Sequence, residues 1–261
     1  MGNGLDLQGV AMVTGGCGGL GRALCEHLSS AGMTAVAVDL PGLGADVELD
    51  VTDAEAVRRA VGQVVGTHGR LDVVIANAGI GVGGVIETLT ADAWKRALAV
   101  NVEGAINVLR ASYPTMIEQR SGHLVFVASL AGLVPTPLLV PYAMTKHALV
   151  GLSTSLRPEA ARHGIAVTVV CPGPIETGFL DTGGRAGVLA GIDGRRFLTR
   201  AAGPAVTPGA VAAATLRGIR RNRAVVAPGR AGLIWHAARF SPRLTEQLVT
   251  RAMRAELAHT G

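Results

Sequence analysis

Short, unbroken apolar runs rich in valine and alanine recur along this chain, each followed by a stretch of helical length, and that rhythm most restricts its fold. GVAMVT (9–14), TAVAVD (34–39), LDVVIAN (71–77), HLVFVAS (123–129), IAVTVVC (165–171) and RAVVAP (223–228) are continuous rather than alternating. Strands of that kind are covered on both faces, as in a parallel sheet held between helices. Helix candidates lie between them at 20–31, 53–67, 90–119 (one helix or two), 141–162 and 208–221. The succession predicts an α/β fold, a Rossmann-like doubly wound parallel sheet of about seven strands with helices on both faces. At 261 residues, one domain spanning 1–261 accommodates it. Aromatic residues make up only 3%, so small and aliphatic side chains must form the helix-on-sheet contacts.

Two stretches stand apart from the rhythm. Residues 178–208 are rich in Gly, Thr and Arg and lack a firm pattern, which marks them as a mobile substrate lid. From about 229 to 261 runs a C-terminal extension, in which Leu244, Leu248, Arg251 and Ala252 recur at helical spacing and Leu233, Ile234, Trp235 and Phe240 form an apolar cluster. Packing on the same chain or on an oligomer partner is the reading adopted for it. Closure of a neighbouring subunit's pocket and contact with a membrane surface are the alternatives.

The net charge of +5 does not point to nucleic acid. Its arginines gather late, in GRRFLTR, GIRRNR and the final helix, without interleaved aromatics. Cys17, Cys25 and Cys171 have neither C-x-x-C spacing nor histidine neighbours, so no metal site or disulfide framework is expected. The opening MGNGLDLQGV reads neither as a signal peptide nor, with Asp6 in sixth place, as a myristoylation site, and no apolar run approaches 18 residues. A cytoplasmic protein with reduced thiols is the expectation.

The first strand runs into TGGCGGLG (14–21) and then a helical stretch. Gly15, Gly19 and Gly21 permit a tight turn and let backbone N–H groups and a helix N-terminus approach a pyrophosphate, with Cys17, Gly18 and Leu20 on the same loop. Asp39 closes the second strand 18 residues after Gly21, where a carboxylate binds a ribose 2′-hydroxyl and repels a 2′-phosphate. Neither Gly18 nor Leu40 supplies a compensating cation, and Arg22 is expected outside the pocket. NAD is therefore favoured over NADP.

Tyr142 and Lys146, in PYAMTKHALVGLS, follow Ser129 in sequence. On a helix, i and i+4 share a face, and a nearby cation is expected to draw the phenol toward neutral pH. A packed tyrosine beside a solvated lysine is the plain alternative for an isolated Y-x-x-x-K. Pro141 predicts that the helix starts there, with Tyr142 in its first turn.

Taken in order, TGGCGGLG, Asp39, LDVTD (49–53), NAG (77–79), VNVEG (100–104), Ser129 in SLAG, YAMTK (142–146) and PGPIET (172–177) resemble the short-chain dehydrogenase/reductase family of single-domain type, from about Leu7 to Pro228. The resemblance implies that Asp50 holds the adenine amino group with Val51 beside it, and that Asn77, Ala78 and Gly79 line the cofactor. Asn101 would order a water near Lys146. Ser129 would hydrogen-bond the substrate oxygen, Tyr142 would exchange its proton, and Lys146 would lower the Tyr142 pKa and bind the nicotinamide ribose. Beyond Pro172 and Gly173, Ile175 and Thr177 would meet the carboxamide. It also implies homotetramers or homodimers paired through the helices that carry Asn101 and Tyr142.

Hydride transfer at carbon demands a proton transfer at oxygen, which these residue types can perform. Leu130, Leu133, Val134, Leu138, Leu139 and Val140, with Pro135, Pro137 and Pro141, suggest an apolar pocket wall in which Leu130 and Leu139 meet substrate. The expected activity is NAD-dependent interconversion of an apolar secondary alcohol and a ketone, the substrate being lipid-, steroid- or acyl-like. The alternatives are an NADP-dependent ketoacyl-type reductase and a non-catalytic NAD-sensing protein on the same fold. Lid arginines 185, 195, 196 and 200 allow an acidic handle on the substrate.

Overall fold

The computed structural model describes residues 7–185 and 187–260. Asp6 and the start of the N-terminal segment lie outside them, as do Ala186 in the expected lid and Gly261.

Seven parallel strands form one sheet in the order β3-β2-β1-β4-β6-β7-β9. They are β1 (Val10–Thr14), β2 (Thr34–Asp39), β3 (Val47–Glu48), β4 (Val73–Ala76), β6 (Gly122–Val127), β7 (Ile165–Val170) and β9 (Val225–Val226). The order reverses between β1 and β4, and such a switch point opens a crevice at the carboxyl ends of the strands. Each central strand is buried on both sides. In β1, Val10 and Met12 join one core cluster, and Ala11 and Val13 the other.

The first cluster is covered by α2 (Ala54–His68), α4 (Gly104–Gln119) and α5 (Val140–Ala161), through Val57, Val61, Val108, Met116 and Leu149. The second is covered by α1 (Gly19–Ser30) and α8 (Pro208–Arg220), through Leu24, Leu28, Val211 and Leu216. The fold is thus Rossmann-like and doubly wound. Asp53 caps α2 by accepting from the N–H groups of Glu55 and Ala56 at 3.0 and 2.9 Å, and Thr207 caps α8 by accepting from Ala210 N at 3.2 Å.

The helical stretch 90–119 is two helices, α3 (Ala91–Leu98) and α4, joined by a π-helical turn over Ala99–Glu103. Three short strands escape the sequence pattern, β3 among them. β5 (Val82–Gly84) pairs in parallel with β8 (Val188–Ala190), which stitches the 178–208 segment to the chain just past β4. That segment is not patternless: it also holds α6 (Phe179–Thr182) and α7 (Gly194–Ala202). After β9 the extension forms α9 (Arg230–Phe240) and α10 (Pro242–Thr260). No helix among the described residues is long and apolar enough to cross a membrane.

Candidate active site

The turn after β1 is as tight as its glycines suggest. Gly15 has φ 64°, in the left-handed region, and a Cβ on Gly21 would lie 1.9 Å from the Gly15 carbonyl oxygen. Gly18 precedes α1, whose first turn carries no acidic residue and no side-chain cap. The N–H groups at that helix end are left for an anion. Asp39 sits beside them, Oδ2 accepting from Cys17 N at 2.9 Å and Oδ1 from Leu40 N at 2.8 Å. Arg22 turns back to the Cys17 carbonyl and does not line the crevice.

Asn77 clamps the end of β4 to this turn. Its Nδ2 donates to the carbonyls of Thr14 and Gly15 at 2.9 and 3.1 Å, and Thr14 Oγ1 accepts from the backbone N–H groups of Asn77 and Ala78. Its Nδ2 is therefore spent on backbone, and the residue lines the crevice while bracing the turn. Asp50 lines the same crevice while accepting from Thr52 N at 2.9 Å.

Ser129 lies two residues past β6, where its Oγ caps a 3₁₀ turn by accepting from Ala131 N at 3.1 Å. Facing it, α5 begins at Val140 with Pro141 and Tyr142 in its first turn, as Pro141 predicts. Lys146, one turn on, is buried and donates to the Val127 carbonyl at 2.9 Å, with Nζ 5.5 Å from the centre of the Tyr142 ring.

The electrostatics differ from the expectation that Lys146 draws the phenol toward neutrality. Burial pushes Tyr142 up to about 12, against a hydrogen bond from Ser129 that acts the other way. Burial likewise brings Lys146 down to about 8. The interior disfavours both charged forms, and this outweighs the attraction that spacing alone suggests. A phenol held protonated at neutral pH is in the state that proton donation requires.

Asn101 occupies the π-helical turn and is wholly buried. Oδ1 accepts from Ile80 N at 2.8 Å, and Nδ2 donates to Ile80 O at 2.9 Å and to Thr145 Oγ1 at 3.0 Å. Its side chain is therefore committed to structure, tying the chain after β4 to the helix that carries Tyr142. A Cβ on Gly79 would lie 3.2 Å from Asn101 Oδ1 and 3.3 Å from Lys146 Nζ, so a glycine there lets the groups converge.

One cavity of about 810 Å³ joins these parts. Every expected cofactor and substrate residue lines it: Gly15, Cys17, Gly18, Gly19, Leu20, Gly21, Asp39, Leu40, Asp50, Val51, Asn77, Ala78, Gly79, Ser129, Leu130, Leu139, Tyr142, Lys146, Pro172, Gly173, Ile175 and Thr177. Of the four residues expected to be catalytic, Asn101 alone is absent from its wall. Val134 also lines it, whereas Leu133, Leu138 and Val140 do not. Leu138 adopts φ 62° and is buried, and its carbonyl accepts from Gly84 N at 2.7 Å.

Three contributors carry no signal of their own in the motifs. Phe179 packs its ring 5.8 Å from that of Tyr142. Thr145 donates to the Tyr142 carbonyl at 2.7 Å; its place just before Lys146, one helical turn from Tyr142, is the clue that was available. Cys171 is buried beside Ser129 and Lys146, its thiol pushed up to about 12 by that burial. Two arginines of the 178–208 segment are engaged: Arg195 pairs with Glu176 at 2.6 Å and Asp181 at 2.7 Å, and Arg196 with Glu256 at 2.8 Å.

Residues 9–185 match the short chain dehydrogenase family. The chain belongs to the short-chain dehydrogenase/reductase family. Members of this family act on CH–OH and keto groups with a nicotinamide dinucleotide, so the chain is an oxidoreductase of that kind. A 3-oxoacyl-[acyl-carrier-protein] reductase of Thermotoga maritima is 32% identical over 66% of this chain and 77% of its own length. An acetoacetyl-CoA reductase of an Acinetobacter strain is 30% identical over 78% and 89%. The solved structure of a short-chain dehydrogenase/reductase from Burkholderia phymatum in complex with NAD superposes with a TM-score of 0.79, at 27% identity over 92% of this chain and 96% of that one.

Proposed function

We propose that this chain reversibly reduces an apolar ketone to a secondary alcohol with NAD(H), using Tyr142 as the proton donor and acceptor. The observation that carries the reading is the convergence of Ser129, Tyr142 and Lys146 on a cavity whose other end is the glycine turn and Asp39. The residues fit a dinucleotide: an uncapped helix end for the pyrophosphate, a carboxylate at Asp39 for a ribose diol, and a Pro172–Thr177 wall opposite. When bound, the nicotinamide supplies or accepts the hydride.

The side chains manage the oxygen. Ser129 Oγ holds the carbonyl by hydrogen bond, which fixes the carbon before the reaction begins. The Tyr142 phenol gives its proton to the oxygen as negative charge grows there, an alkoxide being the stronger base even against a phenol at about 12. Lys146, positively charged below about pH 8, then faces the phenolate left behind. Oxidation runs the same proton path backwards. Asp39 favours NAD because it would stand against the 2′-phosphate of NADP.

Pairing of subunits through α5 and α4 into a dimer or tetramer belongs to the same reading, supported by the exposed Met144 and Val140 on α5. So does a cytoplasmic setting, supported by three free cysteines. The decisive experiment is Tyr142→Phe. Ketone reduction should fall by at least 10²-fold, while NADH binding, measured by calorimetry, stays within a few-fold. Parental turnover in that variant would refute the mechanism.

A further inference from the structure

We infer that α10 is part of the substrate site: it closes an apolar arm of the cavity that takes an uncharged aliphatic chain extending from the reacting carbon, and Val249 and Ala252 set the length accepted. The inference rests on the reading above, in which the substrate oxygen lies at Ser129 and Tyr142. Beyond Tyr142 the cavity continues to the C-terminal extension, where Ile234 of α9 and Thr245, Val249 and Ala252 of α10 line it. The three α10 residues are spaced i, i+4 and i+7, one face of a helix. Leu248 flanks that face and Gln247, exposed, stands opposite it; Leu244 and Leu248 are 52% and 54% exposed.

What holds that face over the cavity is an ion pair. Glu256, one turn beyond Ala252, is buried, and it accepts from Arg196 Nε at 3.0 Å, from Arg196 Nη2 at 2.8 Å and from Asp193 N at 3.3 Å. Asp193 in turn caps α7 by accepting from Arg196 N at 2.9 Å. A forked guanidinium–carboxylate pair with one partner desolvated is costly to break, because separation strands a buried charge. The tail is therefore fastened to α7 by its last turns, leaving its apolar inner face to the cavity.

The chemistry of the arm selects the ligand. Leu198, Ala201 and Ala202 of α7 and Leu130 and Val134 after β6 complete it. Thr245 has spent its hydroxyl proton on the Ser241 carbonyl at 3.1 Å. Arg195 and Arg196 are neutralised by carboxylates. Arg185, also on the cavity wall, belongs to the segment between α6 and β8 and to none of the helices that form the arm. Nothing on the described wall of the arm binds a charge, whereas a methylene chain meets side-chain carbon on every side.

The test compares reduction of 2-alkanones from 2-butanone to 2-dodecanone by the full-length protein, with NADH and with NADPH. The wild type should prefer 2-decanone over 2-butanone in kcat/KM. Val249→Trp and Ala252→Trp should each cut that ratio at least tenfold, and the milder Ala252→Leu should move the optimum to a shorter ketone. Glu256→Gln should raise KM for 2-decanone several-fold. Gln247→Trp, on the outer face, should leave the profile as it was. An unchanged ratio and optimum in the Val249 and Ala252 variants, or an equal shift in Gln247→Trp, would overturn the inference. If the wild type reduces none of these ketones with either cofactor, the proposed reaction fails instead. The arm is then judged by displacement of Nile red, an uncharged apolar dye, by 2-decanone: weaker displacement in Ala252→Trp supports it, and equal displacement refutes it.

Discussion

Asn101 donates to the Thr145 hydroxyl at 3.0 Å, and that hydroxyl donates to the Tyr142 carbonyl at 2.7 Å. The first turn of α5 is thereby pinned to the π-helical turn through two side chains that face neither cofactor nor substrate. Thr145→Val keeps the volume and removes both bonds, stranding a buried amide N–H at a cost of about 1–3 kcal/mol. We expect a lower urea midpoint, a reduced kcat and cofactor affinity within a few-fold. Thr145→Ser should restore kcat, and failure of that rescue would show that the methyl group, not the hydroxyl, is what matters.

Asp39 offers a sharper test of cofactor choice. A carboxylate facing a 2′-phosphate costs several kcal/mol by like-charge juxtaposition, so the wild type should favour NAD in kcat/KM. Replacing the acid and adding a cation, as Asp39→Ala with Leu40→Arg, should raise the NADP-to-NAD ratio at least tenfold. The single change Asp39→Ala should weaken both cofactors somewhat, because Cys17 N then loses its partner across the glycine turn. A wild type that prefers NADP would show that the carboxylate is not what selects the cofactor.

How far the sequence reaches depends on the range of the interaction. The six apolar runs foretell the strands because burial on both faces writes an unbroken pattern into each one, as Val10 to Val13 illustrate. β3 is two residues long and β5 is mostly glycine, so neither carries such a pattern; β5 exists because Val82 meets Val188 more than 100 residues later. The motif residues gather at the cavity because each is tied to the end of a sheet strand or the start of a helix, whose positions the rhythm sets. Periodicity also reveals α10, but Leu244 and Ala252 look alike in sequence, and only the Glu256–Arg196 pair decides which face turns inward. The Tyr142 shift is misjudged from spacing since burial is a property of the whole surround, including Phe179, which is distant in sequence.

His123, far from the cavity at the start of β6, predicts the acid limit of stability. Its Nε2 lies 2.8 Å from Thr168 Oγ1, which itself donates to Arg223 O at 2.6 Å, so Nε2 carries the proton. Nδ1 is buried without a hydrogen-bond partner among the described residues. Burial first, and Arg157 second, bring its pKa down from 6.5 to about 4. The unfolded chain therefore takes up a proton before the folded one does. Stability is complete above pH 6.5 and is lost as pH falls toward 4, by about 3 kcal/mol for a gap of that size. His123→Gln should flatten this part of the unfolding free energy measured between pH 7 and 4. Parallel curves for the two proteins would count against the assignment.

Glycines that look alike in the sequence should respond in opposite directions to alanine. Gly21 has no room, since a Cβ would fall 1.9 Å from the Gly15 carbonyl oxygen and 2.8 Å from Gly16 Cα, both backbone atoms of the turn. Gly21→Ala must push the turn away from α1, and we expect loss of NADH binding together with a lower melting temperature. Gly62, in the middle of α2, has nothing within 4 Å of its would-be Cβ and keeps a negative φ. Gly62→Ala gains helix propensity and restricts the unfolded chain without touching anything, so it should stabilise by roughly 0.5–1 kcal/mol. Thermal unfolding of the two variants side by side checks both signs, and kcat should be unaltered in Gly62→Ala because α2 covers the sheet away from the cavity.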